Sequence, residues 1–191
     1  MKRFMSGVMI CCAGLVLACS SAARDATTTS AVESAYTELS GPSCTELVDK
    51  NDPNETLYFS CAGVAGYRLL VRRAESGRRS IDVMDSAQRL YPLAFPETVT
   101  PDMSTLRAKA EWRVTTVDGK AVPIALIIGV EAREKSETPE VVTHTYLAIA
   151  KIASSESCVV ESIAEGVRLA NDVRTLADSA QFRTCKLREP K

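Results

Sequence analysis

Alternation of apolar and polar positions is strongest in the middle of the chain. Residues 107–114 (RAKAEWRV) alternate strictly, Asp118 and Gly119 supply a turn, and residues 121–130 (AVPIALIIGV) are almost continuously apolar. A two-residue Asp-Gly turn between such segments predicts a β-hairpin whose second strand is covered on both faces. Counting back from the turn predicts three pairs: Trp112 with Ala125, Ala110 with Ile127, and Ala108 with Gly129.

A second hairpin is predicted upstream, in residues 67–85 (YRLLVRRAESGRRSIDVMD). Residues 75–77 form a three-residue loop ending in glycine, which is a favoured hairpin connection. The register that brings like faces together predicts three pairs: Leu69 with Val83, Val71 with Ile81, and Arg73 with Arg79. The last pair sets two like charges opposite each other, which destabilises a sheet.

The remaining apolar segments predict further strands and one main helix. The strands are TLYFSC (56–61), VVTHTYLAIAKI (141–152) and CVVESI (158–163). Residues 165–182 carry apolar side chains at spacings of three and four, as an amphipathic helix does. The members of that stripe are Val167, Ala170, Val173, Leu176, Ala177 and Ala180. The sum is an α+β fold, an antiparallel β-meander of about six strands with one main C-terminal helix packed on the sheet.

The first residues have a different pattern, which indicates export. Lys2 and Arg3 precede an apolar run, residues 4–17, and a boundary of small residues follows. This order describes a secretory signal, and its apolar part is too short for a comfortable membrane span.

The boundary itself carries a candidate for lipidation. Val16-Leu17-Ala18-Cys19 resembles the lipobox of bacterial lipoproteins, in which the sulfur of the cysteine is acylated and the chain is cut before it. The resemblance implies a lipid anchor at Cys19 and, since serine follows, an outer-membrane address. Ordinary cleavage after Ala23 is the alternative.

These observations divide the chain into a signal (1–18), a flexible tether rich in Ser, Ala and Thr (19–43) and one domain (44–191). The signal removes two of the 23 basic side chains and no acid, so 21 remain against 24 acidic ones. A net negative chain of this kind is not expected to bind nucleic acid.

The cysteines predict two disulfides. Beyond the signal and Cys19, four remain: Cys44, Cys61, Cys158 and Cys185. An even number in an exported chain favours a disulfide framework with three possible connectivities. Pairing Cys44 with Cys61 and Cys158 with Cys185 is favoured because each pair closes a local loop. No Cys-x-x-Cys motif occurs and the chain has one histidine, so neither a metal nor another cofactor is expected.

An arginine group is the best candidate for a binding site. Six arginines and no lysine fall within 22 residues, namely Arg68, Arg72, Arg73, Arg78, Arg79 and Arg89. The planar guanidinium suits phosphate and carboxylate. The alternative is a solvated hairpin tip balanced by nearby acids.

Catalytic signals are weak, and no residue is assigned a catalytic role. His144 lies on an alternating strand, where a core or half-buried position is expected, and there is no Gly-x-Ser-x-Gly motif. Asp82 and Asp85 form the only close acidic pair near the arginines, and on a strand they would point to opposite faces. Gly63 to Gly66 is too short for a dinucleotide fingerprint and indicates close backbone packing.

The sequence therefore predicts a non-catalytic, lipid-anchored envelope protein. It would bind another protein or an anionic envelope component through the arginine-rich hairpin, on the periplasmic side of the outer membrane. Without the lipid it would be soluble in the periplasm or secreted. The alternative function is a carboxylate-based hydrolase acting on cell-wall or lipid substrates.

Overall fold

The structure is a computed structural model that describes residues 31–48, 57–73, 78–135 and 141–186. The strands are β1 (Glu33–Glu38), β2 (Cys44–Val48), β3 (Leu57–Ala62), β4 (Arg68–Arg73), β5 (Arg79–Met84), β6 (Leu90–Pro92), β7 (Met103–Val117), β8 (Lys120–Lys135), β9 (Val141–Lys151) and β10 (Cys158–Ala164). The helices are α1 (Phe95–Thr98) and α2 (Ala170–Asp178).

These strands form two five-stranded antiparallel sheets. Sheet I has the order β1-β7-β8-β9-β10, and sheet II has the order β2-β3-β4-β5-β6. Sheet II is a complete meander, and the chain then crosses to sheet I for a second meander to which β1 adds an edge. The prediction of antiparallel β-structure is confirmed, but the single meander of about six strands with one main helix is not exact, since the described strands form two sheets and α1 adds a second, short helix. Edge strands such as β6, three residues long with a proline, carry too little alternation to be recognised.

The two sheets pack face to face around the main core. Trp112 of β7 and Leu126 of β8 meet Leu69 and Ile81 of sheet II, and all four side chains are fully buried. Alternation places every second residue of each strand on this inner face. The strict pattern in residues 107–114 therefore belongs to a strand inside a sandwich.

Helix α2 covers the opposite face of sheet I. Its Val173 and Ala177 pack on Ala125, Ile127 and Ile149 in a second apolar cluster. This layer explains why β8 is apolar on both faces, as predicted. The helix is shorter than predicted because Gly166 has φ +87° in the turn before it, which leaves Val167 71% exposed.

The register of the β7–β8 hairpin differs from the prediction. Val114 pairs with Pro123, but Arg113 pairs with Ala125, so Ile124 is an extra residue in a β-bulge. Proline has no N–H for the ladder and is found in strands mainly at edges and bulges. The bulge shifts the pairs from Arg113 to Ala110 by one, and a second irregularity between Ala110 and Leu106 shifts the register again, so that the predicted pair of Ala108 with Gly129 does not form. The bulge pairs Trp112 with Leu126 instead of Ala125, and Ala110 with Ile128 instead of Ile127.

Both disulfides have the connectivity that the sequence favoured. Cys44 is joined to Cys61 and Cys158 is joined to Cys185. Cys44 and Cys61 face each other on β2 and β3. Cys158 begins β10, and Cys185 follows the last helical turn. Two disulfides are consistent with an oxidising compartment outside the cytosol.

The assignment of residues 19–43 to a tether is wrong in part, because β1 lies within that range and pairs with β7. Residues 1–18 and Cys19 lie outside the described residues, so the signal and the lipid anchor stay predictions. Among the described residues, no helix has the length and apolar content needed to cross a bilayer.

Candidate functional site

The β4–β5 hairpin that carries most of the arginine group has the predicted register. Leu69 pairs with Val83, Val71 with Ile81, and Arg73 with Arg79. The four apolar members are buried in the main core. Because faces alternate along a strand, Arg68 and Arg72 lie on the outer face of sheet II. Positions 73 and 79 close the inner-face row at the loop end of the hairpin.

Arg72 is committed to partners within the outer face. Its guanidinium forms an ion pair with the carboxylate of Asp82, whose side chain is only 3% exposed. The same guanidinium lies 5.5 Å from the centre of the Tyr58 ring, within the range of a cation–π contact. An ion pair with a buried carboxylate is a structural requirement, since removal of the arginine would leave a buried charge.

Arg68 is also engaged by its own sheet. Its Nε donates to the hydroxyl of Ser60 over 2.7 Å, and a terminal nitrogen donates to the carbonyl of the same residue over 3.3 Å. Ser60 is buried on the neighbouring strand β3. Arg68 therefore covers the outer face of sheet II and satisfies polar groups beneath it.

Arg89 belongs to a separate cluster beyond the far end of β5. Its Nε donates to Asp85 over 2.7 Å, and its backbone N–H donates to the same carboxylate over 2.8 Å. Burial raises the pKa of Asp85, but the backbone and side chain of Arg89 and the backbone N–H of Ala87 outweigh it, so that the pKa lies below its usual value. The carboxylate is a fixed acceptor for this turn.

Arg78 and Arg79 differ from these three. Neither forms an ion pair with any acid among the described residues, and Nε of Arg78 is shielded from solvent with no hydrogen-bond partner there. Both lie at the loop end of the hairpin, where Arg79 pairs with position 73 and Arg78 directly precedes β5. The backbone of Arg73 is described, but its side chain lies outside the described part. The six predicted arginines thus divide into three with internal partners, two without an ionic partner and one whose side chain is not described.

The acids of the alternative hydrolase hypothesis lie in different clusters. Asp82 is paired with Arg72 on the outer face of sheet II, and Asp85 is held by Arg89 at the end of the sheet. Paired carboxylates in catalysis share one reacting centre. Asp82 and Asp85 do not share such a centre.

His144 is exposed, so the expectation of a core or half-buried side chain is wrong. It pairs with Ala132 near the end of the β8–β9 hairpin, where Val142 and Thr143 are also exposed. The hairpin extends past the layer that would cover it. Alternation in the sequence predicts a strand, but it does not show which of its residues are covered by other elements.

Gly63 occupies the tight packing expected beside Cys61. A Cβ at this position would lie 2.8 Å from Cζ2 of Trp112 and 2.8 Å from the carbonyl of Tyr67. The glycine therefore lets the β3–β4 turn close over the indole ring.

One group of potential metal ligands lies in the described part of the chain. Ligand atoms of Glu156, Cys158 and Cys185 lie within 4.8 Å of one another. The two sulfurs are joined in a disulfide, and zinc binds thiolates. The oxidised group does not supply the ligands that zinc requires.

The sequence missed a buried polar cluster between sheet I and α2. Arg113, with a side chain 8% exposed, donates to Asp178 of the helix over 2.6 and 3.0 Å. Beside it Arg174 donates to Glu111 over 2.6 Å. Every charge here has an internal partner, so the cluster fixes the helix on the sheet. The alternating charges of RAKAEWRV were the only sequence signal for it.

No protein-family model, curated protein or solved structure matches this chain.

Proposed function

We propose that this chain is an exported, non-catalytic binding domain of the cell envelope, which binds an anionic partner at the loop end of the β4–β5 hairpin. The observation that carries the proposal is the pair of guanidiniums at Arg78 and Arg79, with no acid to neutralise them among the described residues. Phosphate and carboxylate groups are the anions that arginine binds in bidentate geometry.

The other described arginines of the hairpin support this proposal because their guanidiniums already have partners within the sheet. Arg68 and Arg72 use their donors on Ser60 and Asp82 of the same sheet. Their positive charges are therefore bound within the outer face of sheet II. The positive charges that could bind a partner lie at the loop end. The backbone register pairs position 73 with Arg79, so a bound anion would offset the unfavourable pairing of two arginine positions.

The envelope location rests on the two disulfides together with the proposed signal and lipidation of Cys19. A lipid there, followed by a Ser-, Ala- and Thr-rich tether, would hold the sandwich near the periplasmic face of the outer membrane. A tethered domain with a cationic loop end suits capture of an acidic protein surface or an anionic envelope component.

The test compares two charge-matched double variants of the full-length protein. Arg78→Ser with Arg79→Ser removes two charges from the loop end of the hairpin. Lys120→Ser with Arg168→Ser removes two exposed charges elsewhere. Retention on isolated envelopes and chemical crosslinking within them are measured together with the melting temperature.

We expect the hairpin variant to lose at least tenfold in retention with an unchanged or higher melting temperature, and the control to behave as wild type. Separate binding assays with purified peptidoglycan and with lipopolysaccharide vesicles then distinguish carboxylates from phosphates. Equal retention of both variants would reject the hairpin as the binding site. A large fall in melting temperature for the hairpin variant would show that the arginines are structural.

A further inference from the structure

A cavity of about 310 Å³ lies where the edges of the two sheets meet. Leu90 and Leu93 line it from the side of sheet II, and Val159 lines it from β10 of sheet I. The Cys158–Cys185 disulfide forms part of the same wall. The cavity therefore gives this disulfide contact with an opening in the protein surface.

The other disulfide has a different environment. Cys61 is completely buried in the main core and its half-buried partner Cys44 packs against that core, whereas Cys158 and Cys185 are both half-buried. Cys44–Cys61 also bridges two adjacent strands of sheet II. Attack by a thiol needs access to a sulfur, and the core denies access to the sulfur of Cys61.

The accessible disulfide holds the end of the described chain against β10. The backbone N–H of Lys186 donates to the carbonyl of Val159 over 2.8 Å, and its Nζ donates to Ser162 over 2.8 Å. Residues 183–186 thus run beside β10, which is an edge strand of sheet I. The covalent bond, a few hydrogen bonds and an ion pair between Arg183 and Glu161 keep them there.

The charges around the disulfide are balanced. The Glu156 carboxylate lies within 4.8 Å of both sulfurs, and the Lys151 ammonium lies 2.6 Å from that carboxylate. Lys186 also lines the cavity, and its ammonium donates to Ser162. An approaching thiolate therefore meets no uncompensated negative charge among these groups.

We propose that Cys158–Cys185 is a thiol–disulfide exchange site, which a small thiol or the dithiol of a reductase reaches through this cavity. A thiolate of the dithiol attacks one sulfur to form a mixed disulfide, and the other cysteine leaves as a thiolate. The second thiol of the dithiol then displaces the remaining cysteine. The dithiol is oxidised by two electrons, and both cysteines end as thiols after protonation.

The consequence of exchange is release of the chain end from sheet I. Without the covalent bond, residues 183–186 keep their hydrogen bonds and the ion pair of Arg183 with Glu161, and their departure exposes the edge of β10. An open edge strand is a template for pairing with another strand. The proposal is independent of anion binding, since neither Arg78 nor Arg79 lines the cavity.

The test measures both disulfides in one experiment on the folded, full-length protein. The protein is incubated with dithiothreitol without denaturant, samples are alkylated at intervals, and peptide mass spectrometry reports modification at each cysteine. We expect Cys158 and Cys185 to be alkylated at least tenfold faster than Cys44 and Cys61. Hydrogen exchange on the same samples should show loss of protection at the Lys186 amide.

Two variants test the route through the cavity. Leu90→Trp places a larger side chain on the cavity wall, and Leu169→Trp makes the same change at a position that is 76% exposed and does not line it. We expect the first to slow reduction of Cys158–Cys185 several-fold and the second to leave it unchanged. Reduction of both disulfides at one common rate, or at a rate that follows global unfolding in urea, would overturn the proposal.

Discussion

The indole Nε1 of Trp112 donates a hydrogen bond to the hydroxyl of Thr37 over 2.9 Å, between two side chains that are almost completely buried. That hydroxyl in turn donates to the carbonyl of Ala62 over 3.0 Å. One oxygen thus connects edge strand β1 and β7 of sheet I to β3 of sheet II. The contact explains why a short, mostly exposed strand is part of the domain.

Replacement of Thr37 by valine tests this contact. Valine keeps the shape but leaves the indole N–H buried without its acceptor, which should lower the free energy of unfolding by about 1 to 3 kcal/mol. Thr37→Ser is the control, because it retains the hydroxyl and loses one methyl group. Urea denaturation measures both, and a valine variant as stable as wild type would show that the hydrogen bond contributes nothing.

Gly129 gives a second prediction, because the side chain of Arg107 crosses directly over it. A Cβ at Gly129 would lie 2.5 Å from Cδ and 3.1 Å from Cβ of Arg107. Glycine to alanine within a strand ordinarily stabilises, but overpacking here should reduce stability by about 1 to 3 kcal/mol. Thermal or urea unfolding of Gly129→Ala decides the sign.

The double variant Gly129→Ala with Arg107→Ala supplies the control for this effect. Arg107 forms ion pairs with Glu165 and Glu131 in exposed surroundings, so its removal alone should cost at most about 1 kcal/mol. In its absence the added methyl group should no longer destabilise. If the two effects simply add, the clash with Arg107 is not the cause.

The ion pair of Arg113 with Asp178 gives a third prediction, which concerns how helix α2 is held on sheet I. Asp178→Asn removes the nearer of the two carboxylates, Asp178 and Glu111, that balance the Arg113 guanidinium, whose side chain is only 8% exposed. Because Asp178 itself is partly exposed, we expect the free energy of unfolding to fall by about 2 to 3 kcal/mol, which is less than for a fully buried pair. Asp172→Asn is the matched control, an exposed aspartate of the same helix. Equal stability of the two variants in urea would contradict a role for this pair.

Stability should fall at acidic pH because of two carboxylates. Burial raises the pKa of Asp85 and of Glu111, but hydrogen bonds outweigh it, mainly from Arg89 for the first and from Arg174 and Ser34 for the second. Both pKa values are therefore lower in the folded state than in the unfolded chain. Their contribution is complete above the unfolded values, about 4, and is lost as pH falls through the lower folded values.

Urea denaturation across a pH series checks this expectation. The free energy of unfolding should decline below about pH 4 in the wild type and decline less steeply in Asp85→Asn. Asp118→Asn removes an exposed carboxylate from a turn position with φ +48°, a conformation that asparagine also adopts. This control should keep the wild-type profile. A profile of Asp85→Asn that is parallel to the wild type would refute the assignment to Asp85.

The β4–β5 register was predictable because each strand has one apolar face and the loop contains a glycine. A shift of one residue would have placed charges in the core, so the pattern allowed one pairing. The β7–β8 register was not predictable, because β8 is apolar on both faces and either face of it can meet Trp112. The bulge at Ile124 pairs Leu126 with Trp112. Which face of β8 meets Trp112 depends on the packing of sheet II.

For the arginine group, too, the sequence predicted only part of the arrangement. Its location on one hairpin follows from composition and register. Which members have internal partners depends on Ser60, which the pairing of β3 with β4 brings close, and on the outward direction of Asp82. The strand pairing of the sheet brings these neighbours to the arginines. Their separation along the sequence does not predict the contacts.

The sequence by itself determined the local features of this protein: the two hairpins, the C-terminal helix and disulfides that close short loops. All of these depend on side-chain period, turn residues and short separation, which act within a segment. Only the tertiary structure decided the division into two sheets, the place of β1, the cavity beside Cys158–Cys185 and the loop end, where Arg78 and Arg79 form no ion pair with the other residues that the structure describes. These features depend on contacts between distant segments, whose free energy exists only when the sheets are packed together.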